Sequence, residues 1–175
     1  SPSLPLAETA SVFAEMVLIE KLMENMKEKE KIYLLAKDLD DIYATIIRQV
    51  YFTLFEKAAY DVVKNNGTVD DLDNEYLKLL KEQLHGIEVP EKFKHEWKYV
   101  HHFFNYRYYM YSYAFGNLLV LALYKVYKEE GDKFVSKYLN ILRAGGSDSP
   151  INILKNVGID ITKESFWELG FEMIK

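Results

Sequence analysis

Apolar residues recur at intervals of three and four positions along almost the whole chain, the spacing that builds one face of an α-helix. The longest such stripe lies within residues 32–63 and comprises Leu35, Leu39, Ile42, Ile46, Val50, Leu54 and Ala58. Nowhere do four or more residues alternate between apolar and polar as a half-buried strand requires. The sequence therefore predicts an all-α fold, a multi-helix bundle.

Start and stop signals divide this pattern into segments. Residues 65–67, Asn-Asn-Gly, end the long helix, and Thr68 is a predicted N-cap for the next one. Ser149 before Pro150 favours a new helix start, and Thr162 is the predicted cap of the last helix. The predicted helices cover residues 6–26, 32–63, 69–85, 106–129, 132–143, 150–156 and 163–174, with a charged hinge at 27–31.

Charge and cysteine content exclude several classes of protein. The chain has 22 Lys and Arg against 27 Asp and Glu, a formal net charge of −5, and no cysteine. Without cysteine there is neither a disulfide framework nor a thiolate zinc site, so a metal would need His, Asp or Glu ligands. The mildly acidic balance disfavours nucleic acid and anionic lipid as partners. At 175 residues, one domain with its own core is expected.

One segment raises the question of a membrane span. Residues 108–124 are 17 consecutive residues without a charge, the lower limit of the spanning range. The segment contains five Tyr together with Ser112, Gly116 and Asn117, and Tyr prefers the membrane interface to the hydrocarbon centre. We therefore predict a helix buried at the centre of the bundle, and no membrane.

The four histidines are His85, His95, His101 and His102. The string that starts at His95 begins like the HEXXH zinc motif, in which two His one helical turn apart hold the metal. Tyr99 occupies the position of the second His, and His101 falls on a different helical face. This similarity is accidental, and these histidines do not make a complete zinc site.

Two carboxylates share the apolar stripe of the first predicted helix. Glu8, Val12, Glu15 and Ile19 are spaced at i, i+4, i+7 and i+11, among small residues. A buried carboxylate needs a cation, a metal or several hydrogen-bond donors to remain ionised. The spacing alone favours a solvated Glu8 and a Glu15 paired with Arg or Lys from another helix, with a metal-related role as the alternative.

His102 precedes the most apolar predicted helix, on which Tyr106, Tyr109 and Tyr113 share one face at i, i+3 and i+7. An imidazole and several phenols that converge on one side can donate hydrogen bonds to an oxyanion. Tyr rings are also ordinary core material, and a His can cap a helix. Taken alone, these residues favour the structural interpretation.

The two features occur together and in this order, and with them the chain resembles the C-terminal part of an oligoendopeptidase F, of the thimet oligopeptidase family of zinc peptidases. Four stretches carry the resemblance and span nearly the whole chain in the family's order. They are residues 7–15, AETASVFAE; Arg48-Gln49 with Phe52, Phe55 and Glu56; residues 102–116, HFFNYRYYMYSYAFG; and residues 145–150, GGSDSP.

The resemblance implies a zinc ion held by the two His of an HEXXH helix and by a Glu of the following helix. Glu8 matches that Glu and is therefore the predicted third zinc ligand. Glu15 matches an acidic residue that supports a zinc-ligating His.

The resemblance also implies that His102 and the tyrosines after it line the substrate groove and stabilise the tetrahedral intermediate. The family's tyrosines are spaced slightly differently from those of this chain. Helical geometry favours Tyr109 and Tyr113 for this role, with Tyr106 as the alternative.

No HEXXH occurs in the 175 residues, so two zinc ligands and the general-base Glu that the resemblance implies are absent. In the family they stand just N-terminal to the position of Ser1. We therefore expect residues 1–175 to be a single helical unit, the C-terminal part of a peptidase catalytic domain. By itself this chain is expected to be inactive and not to hold zinc tightly.

For the intact protein, the resemblance implies a zinc metallopeptidase that hydrolyses short peptides in the cytoplasm. Its expected partners are oligopeptide substrates and the N-terminal part of the same enzyme. The isolated chain is expected to self-associate through apolar surface left uncovered. The alternative is a non-catalytic helical module, descended from such a peptidase, that binds peptides or a partner chain.

Overall fold

The computed structural model describes residues 9–174, which form helices and connecting turns with no β-strand. The prediction of an all-α chain is confirmed for these residues. The helices are α1 Thr9–Met23, α2 Glu28–Ile42, α3 Arg48–Lys64, α4 Val69–Gln83, α5 His102–Asn105, α6 Tyr111–Glu130, α7 Asp132–Ala144, α8 Pro150–Lys155 and α9 Glu164–Glu172, with a π-helical turn at Tyr43–Ile47 and a 3₁₀ segment at Glu91–Tyr99.

Two predicted helix starts are confirmed by their capping hydrogen bonds. The Thr68 Oγ1 atom accepts the Asp71 N–H at 3.3 Å, and the Asp71 carboxylate accepts the Thr68 N–H at 2.7 Å. This reciprocal pair satisfies two backbone donors that the first turn of α4 leaves open. At α8, Ser149 Oγ accepts the Asn152 N–H at 3.3 Å, with Pro150 in the first turn.

The predicted charged hinge at residues 27–31 is wrong. The Glu30 carboxylate accepts the Lys27 N–H at 2.8 Å, and α2 already begins at Glu28. Acidic side chains in a first turn face the positive end of the helix dipole, so this charge starts a helix instead of interrupting one.

The predicted cap of the last helix is also wrong. Thr162 donates its hydroxyl proton to Asp160 at 2.6 Å, and α9 begins only at Glu164. Both ends of this hydrogen bond lie in the turn before the helix, so the threonine stabilises that turn.

Contacts between Cα atoms group the chain into two compact units. The terminal unit comprises residues 9–42 and 115–174 of the described chain, and the middle unit is Tyr43–Ala114. The π-helical turn that interrupts the predicted long helix is the first element of the middle unit.

The terminal unit has its core around the C-terminal part of α6. Leu119, Val120, Ala122 and Leu123 are fully buried, which confirms a buried helix over this stretch. Gly170 of α9 packs so closely on this helix that a Cβ there would lie 2.9 Å from the Leu118 carbonyl oxygen. Within residues 9–174 no helix combines the length and the apolar character needed to cross a membrane.

The core of the middle unit is aromatic. Helix α3 contributes Phe52 and Phe55, α4 contributes Tyr76, and the 3₁₀ segment contributes Trp97. The Phe55 ring lies edge-on to Tyr76, with 5.0 Å between centroids, and tilted to Trp97 at 5.7 Å. These contacts fix α3 as the central element of the unit, and the candidate site lies along it.

Candidate active site

His102 is held at the edge of the aromatic core by its neighbour in sequence. Phe103 packs edge-on against Phe52 and Phe55, with ring centroids 5.7 and 5.2 Å apart. The short helix α5 is thereby anchored on α3. His102 is the first residue of α5, and its imidazole is half-buried. A side chain that must meet a ligand in one orientation needs an anchored backbone. His102 combines such a backbone with a partly exposed imidazole.

The structure brings His102 together with all three predicted tyrosines. The Tyr113 hydroxyl lies 3.3 Å from His102 Nε2, within hydrogen-bond distance. The Tyr109 ring stacks on the imidazole at a centroid distance of 5.3 Å and lies 5.6 Å from the Tyr106 ring. We call these four residues, His102, Tyr106, Tyr109 and Tyr113, the His102 cluster.

The three tyrosines converge for a reason different from the predicted one. Helix α6 begins at Tyr111, so Tyr106 and Tyr109 lie in the turn before it and the prediction of one helix from residue 106 is wrong. Tyr108 adopts φ +48°, the left-handed region, which a continuous α-helix does not permit. The chain therefore turns back on itself at Tyr108, which brings the residues on both sides toward His102.

A buried carboxylate holds this turn. The Glu56 side chain on α3 is 3% exposed, and its Oε1 atom accepts the Tyr108 N–H at 2.8 Å. The Tyr108 ring packs on Tyr60, also on α3, with centroids 5.4 Å apart. Helix α3 thus supports both segments of the His102 cluster, the one at Phe103 and the one at Tyr108.

Of the two predicted metal-related residues, Glu15 belongs to the terminal unit. Glu8 lies outside the described residues. Glu15 is exposed, so its predicted place in a buried stripe is wrong: α1 turns Thr9 and Phe13 into the core instead. Burial raises the pKa of the Asp38 carboxyl on α2, and the charge of Glu15 raises it further. The charge of Glu15 also acts on Lys37, so Glu15 has an acidic and a basic neighbour on α2.

The string that resembles HEXXH is committed to other contacts. The Glu96 carboxylate forms an ion pair with Arg48 and accepts a hydrogen bond from the Tyr76 hydroxyl at 2.8 Å. His95 Nδ1 lies 2.9 Å from the buried Asp73 carboxylate. The string lies in a 3₁₀ segment rather than an α-helix, so its side chains do not follow the α-helical spacing on which the motif depends.

The described residues do not complete a metal centre. Within residues 9–174, no group of three His, Cys, Asp or Glu side chains is arranged to hold a metal ion. A catalytic zinc needs three protein ligands, so these residues alone do not fit such an ion.

Glu56 and Arg48 are the side chains that reasoning from the residues missed. Both belong to one of the stretches that carried the resemblance, but neither was given a role. The sequence signal for Glu56 was a carboxylate one helical turn from Phe52, on a helix face that is otherwise apolar. Such a carboxylate is buried by its helix and requires a donor from elsewhere in the chain.

An imidazole and phenols gathered on one anchored surface have the chemistry to donate hydrogen bonds to an oxyanion. Comparison of the sequence with family models identifies peptidase family M3 over residues 1–173. The chain therefore belongs to peptidase family M3, which confirms the resemblance inferred from its motifs.

Relatives and solved structures agree with this assignment. The chain is 33% identical to the oligopeptidase PepF of Bacillus subtilis, over 99% of this chain and 26% of that protein. A crystal structure of oligoendopeptidase-F from Enterococcus faecium matches with a TM-score of 0.82 and 29% identity, over 98% of this chain and 34% of that one. A crystal structure from Chlamydophila abortus matches with a TM-score of 0.88 and 32% identity, over 99% and 30%. The chain thus spans between a quarter and about a third of the length of these proteins.

Proposed function

We propose that residues 1–175 are part of a zinc oligoendopeptidase that hydrolyses short peptides, and that they supply the groups that stabilise the oxyanion. The His102 cluster is the observation that carries this proposal. It gathers an imidazole and three phenols on one anchored surface, in a chain that belongs to peptidase family M3.

The geometry of the cluster supports the following roles. When water attacks the scissile carbonyl, negative charge develops on the carbonyl oxygen, and donors fixed in advance stabilise it. The Tyr113 hydroxyl, 3.3 Å from His102 Nε2, orients the imidazole, and Tyr109 stacks on the same ring. We assign the donors to His102 and the Tyr109 hydroxyl, with Tyr106, 60% exposed at the outer edge, as the alternative phenol.

Zinc is the proposed cofactor of the complete protein, with Glu8 as one ligand and Glu15 as the residue that supports a ligating His. The described residues alone do not complete a site for the metal. The assignment is tested by the zinc content of the complete protein carrying Glu8→Ala. We expect far less than one zinc per molecule, whereas one zinc per molecule would remove Glu8 from the ligands.

Hydrolysis of an internally quenched oligopeptide tests the function itself. We expect the complete protein to cleave it and a chelator to abolish cleavage, while the separate 175-residue chain does not cleave it. His102→Ala in the complete protein should lower kcat by about 10²-fold or more, since one oxyanion donor contributes that much. Peptide binding without cleavage by the complete protein would instead support the non-catalytic binding module.

The N-terminal part of the same protein is the proposed partner of these residues. Helix α2 has no buried residue, and Ile32, Leu35 and Leu39 are exposed on it. In a longer peptidase the rest of the catalytic domain would cover this apolar face. We therefore expect the separate chain to self-associate, and a monomer over a wide concentration range in sedimentation experiments would contradict this. The cytoplasmic location and the assignment of both units to one catalytic domain remain predictions.

A further inference from the structure

We infer that Glu56 is a positioning residue of the active site, because its carboxylate holds the turn that presents Tyr109 to His102. The inference rests on the proposed function of the His102 cluster. Glu56 itself touches none of the four residues of the cluster through a hydrogen bond; its contact is with the backbone of Tyr108.

The turn at Tyr108 has a strained backbone. Tyr108 is a non-glycine residue at φ +48°, a conformation that is unfavourable for a side chain of this size. Such backbone strain persists only where surrounding contacts impose it, and it is concentrated at functional sites. Here the contacts that impose it are the hydrogen bond from the Tyr108 N–H to Glu56 and the packing of its ring on Tyr60.

The Glu56 carboxylate is buried and only partly paired. Glu56 is 3% exposed, and its Oε2 atom is buried without a hydrogen-bond partner within residues 9–174. A buried carboxylate with half of its acceptor capacity unused is unfavourable for a core, and an apolar residue of the same size would pack there at lower cost. What Glu56 provides is therefore the acceptor for the Tyr108 N–H.

The residue that follows Tyr109 is anchored as well. Met110 is 1% exposed and packs with Phe52 and Phe55 in the core of the middle unit. Tyr109 thus lies between a residue fixed by Glu56 and a residue fixed by the core. Without the bond at Tyr108 the side of Tyr109 that precedes it is held only by the packing of the Tyr108 ring on Tyr60. A shift of about 1 Å in an active-site group can cost about 10²-fold in rate.

Two substitutions of Glu56 distinguish the effect of its side-chain length from the effect of its charge. Glu56→Asp keeps the charge but withdraws the acceptor by one methylene, and we expect kcat of the complete protein to fall by about 10²-fold with KM changed by less than about threefold. Glu56→Gln keeps an acceptor oxygen at the original reach, and we expect kcat within about threefold of the unchanged protein. Asp73→Asn, which alters another buried carboxylate of the same unit, is the matched control and should leave kcat unchanged.

Two further measurements separate positioning from a general loss of structure. If Glu56 acts through Tyr109, Glu56→Asp in a Tyr109→Phe background should cost less than about threefold more, because coupled residues are not additive. Amide hydrogen exchange over residues 106–110 should be faster in Glu56→Asp and unchanged in Asp73→Asn. Independent losses that multiply, or unchanged exchange at 106–110, would overturn the inference.

The failure of the proposed function is distinguishable from the failure of this inference. If the complete protein cleaves no peptide, the function fails, and hydrogen exchange over residues 106–110 alone then decides whether Glu56 holds the turn. If Glu56→Asp does not fold, Glu56→Leu decides, because it removes the acceptor at a similar side-chain volume: the inference requires a lower kcat together with faster exchange over residues 106–110. A change in one without the other overturns it.

Discussion

Two clusters of aromatic side chains, one in each unit, have similar ring spacings but differ in the contacts of their polar groups. In the Phe13 cluster of the terminal unit, Phe13 packs against Tyr124, Tyr127, Phe134 and Tyr138 with centroids 4.2 to 6.1 Å apart. The contacts of His102 with the three tyrosines of its own cluster are 5.3 to 6.4 Å. Ring geometry therefore does not distinguish a core from a candidate site.

The polar ends of the side chains do distinguish them. In the Phe13 cluster the Tyr124 hydroxyl donates to the Glu20 carboxylate, and the Tyr138 hydroxyl donates to the Thr9 carbonyl at 3.4 Å. Burial raises the pKa of both phenols, and Glu20 adds to the effect at Tyr124. In the His102 cluster the rings are half-buried or exposed, and Tyr113 and His102 face each other. The Phe13 cluster uses its hydroxyls to hold the fold, whereas in the His102 cluster the Tyr113 hydroxyl contacts a half-buried imidazole.

The largest expected effect is on the stability of the terminal unit. Phe134 is fully buried and contacts Phe13, Tyr127 and Tyr138. Phe134→Ala should lower the free energy of unfolding by about 3–5 kcal/mol, the sum of lost burial and a residual cavity. Urea denaturation followed by the fluorescence of Trp167, which lies in the same unit, measures this. A loss below about 1 kcal/mol would mean that the Phe13 cluster is not the core that its burial indicates.

Removal of single hydroxyls tests the difference between the clusters directly. Tyr109→Phe in the complete protein should lower kcat by about 10²-fold, because it removes the proposed oxyanion donor while keeping the ring. Tyr138→Phe makes the same chemical change in the Phe13 cluster and should leave kcat unchanged. Equal kcat values for both variants would remove the functional distinction, and circular dichroism should show both variants folded.

The next effect concerns the polar core of the middle unit. Burial tends to raise the pKa of Asp73, but hydrogen bonds from Lys98 and Trp97 and the charges of Lys98 and His95 outweigh it, so this pKa lies below its usual value. Asp73→Ala leaves the buried Trp97 Nε1 donor without its partner and should cost about 2 kcal/mol at neutral pH. Thermal unfolding at several pH values measures this loss.

The sign of its pH dependence follows from the lowered pKa. A carboxylate whose folded-state pKa is depressed stabilises the fold above the unfolded-state value, which is about 3.9 for Asp. That stabilisation is lost as the pH falls through the folded-state pKa. The difference between Asp73→Ala and the unchanged protein should therefore shrink below about pH 4, and a difference that grows instead would contradict the assignment.

The smallest effect is at the edge of the Phe13 cluster. Glu20 is 46% exposed at its side chain and is paired with Lys128 as well as Tyr124. Hydrogen bonds from Lys128 and Tyr124 lower the pKa of Glu20. Exposed ion pairs contribute less than about 1 kcal/mol, so Glu20→Gln should change stability by no more than that and less still at high salt. A loss as large as that of Phe134→Ala would show that the hydroxyl partners, not the rings, hold this cluster together.

The sequence predicted a structural feature correctly where the residues that hold the feature are close together in the chain. The caps at Thr68 and Ser149 depend on a partner three residues away, so they could be predicted directly. The turn at Tyr108 could not, because the group that holds it, Glu56, lies 52 residues earlier in the chain. The periodicity of residues 106–129 continues through this turn, so the apolar pattern gives no sign of the break.

The sequence predicted which residues come together in the candidate site, but not how the backbone arranges them. His102, Tyr106, Tyr109 and Tyr113 do come together, but Tyr106 and Tyr109 do so from a turn rather than from a helix face. The stripe of α1 was misjudged at Glu15, because spacing alone does not say which side of a helix the rest of the chain covers. That choice depends on packing against α6 and α7, which a single helix cannot reveal.

Position 170 in the terminal unit tolerates few residues other than glycine. A methyl group there would lie 2.9 Å from the Leu118 carbonyl oxygen, so any other residue requires α9 to move away from α6. Helix α2, with no buried residue, imposes no such limit within this chain. In a library of random substitutions selected for folding of these residues, position 170 should return almost only glycine, while the α2 surface should accept many side chains.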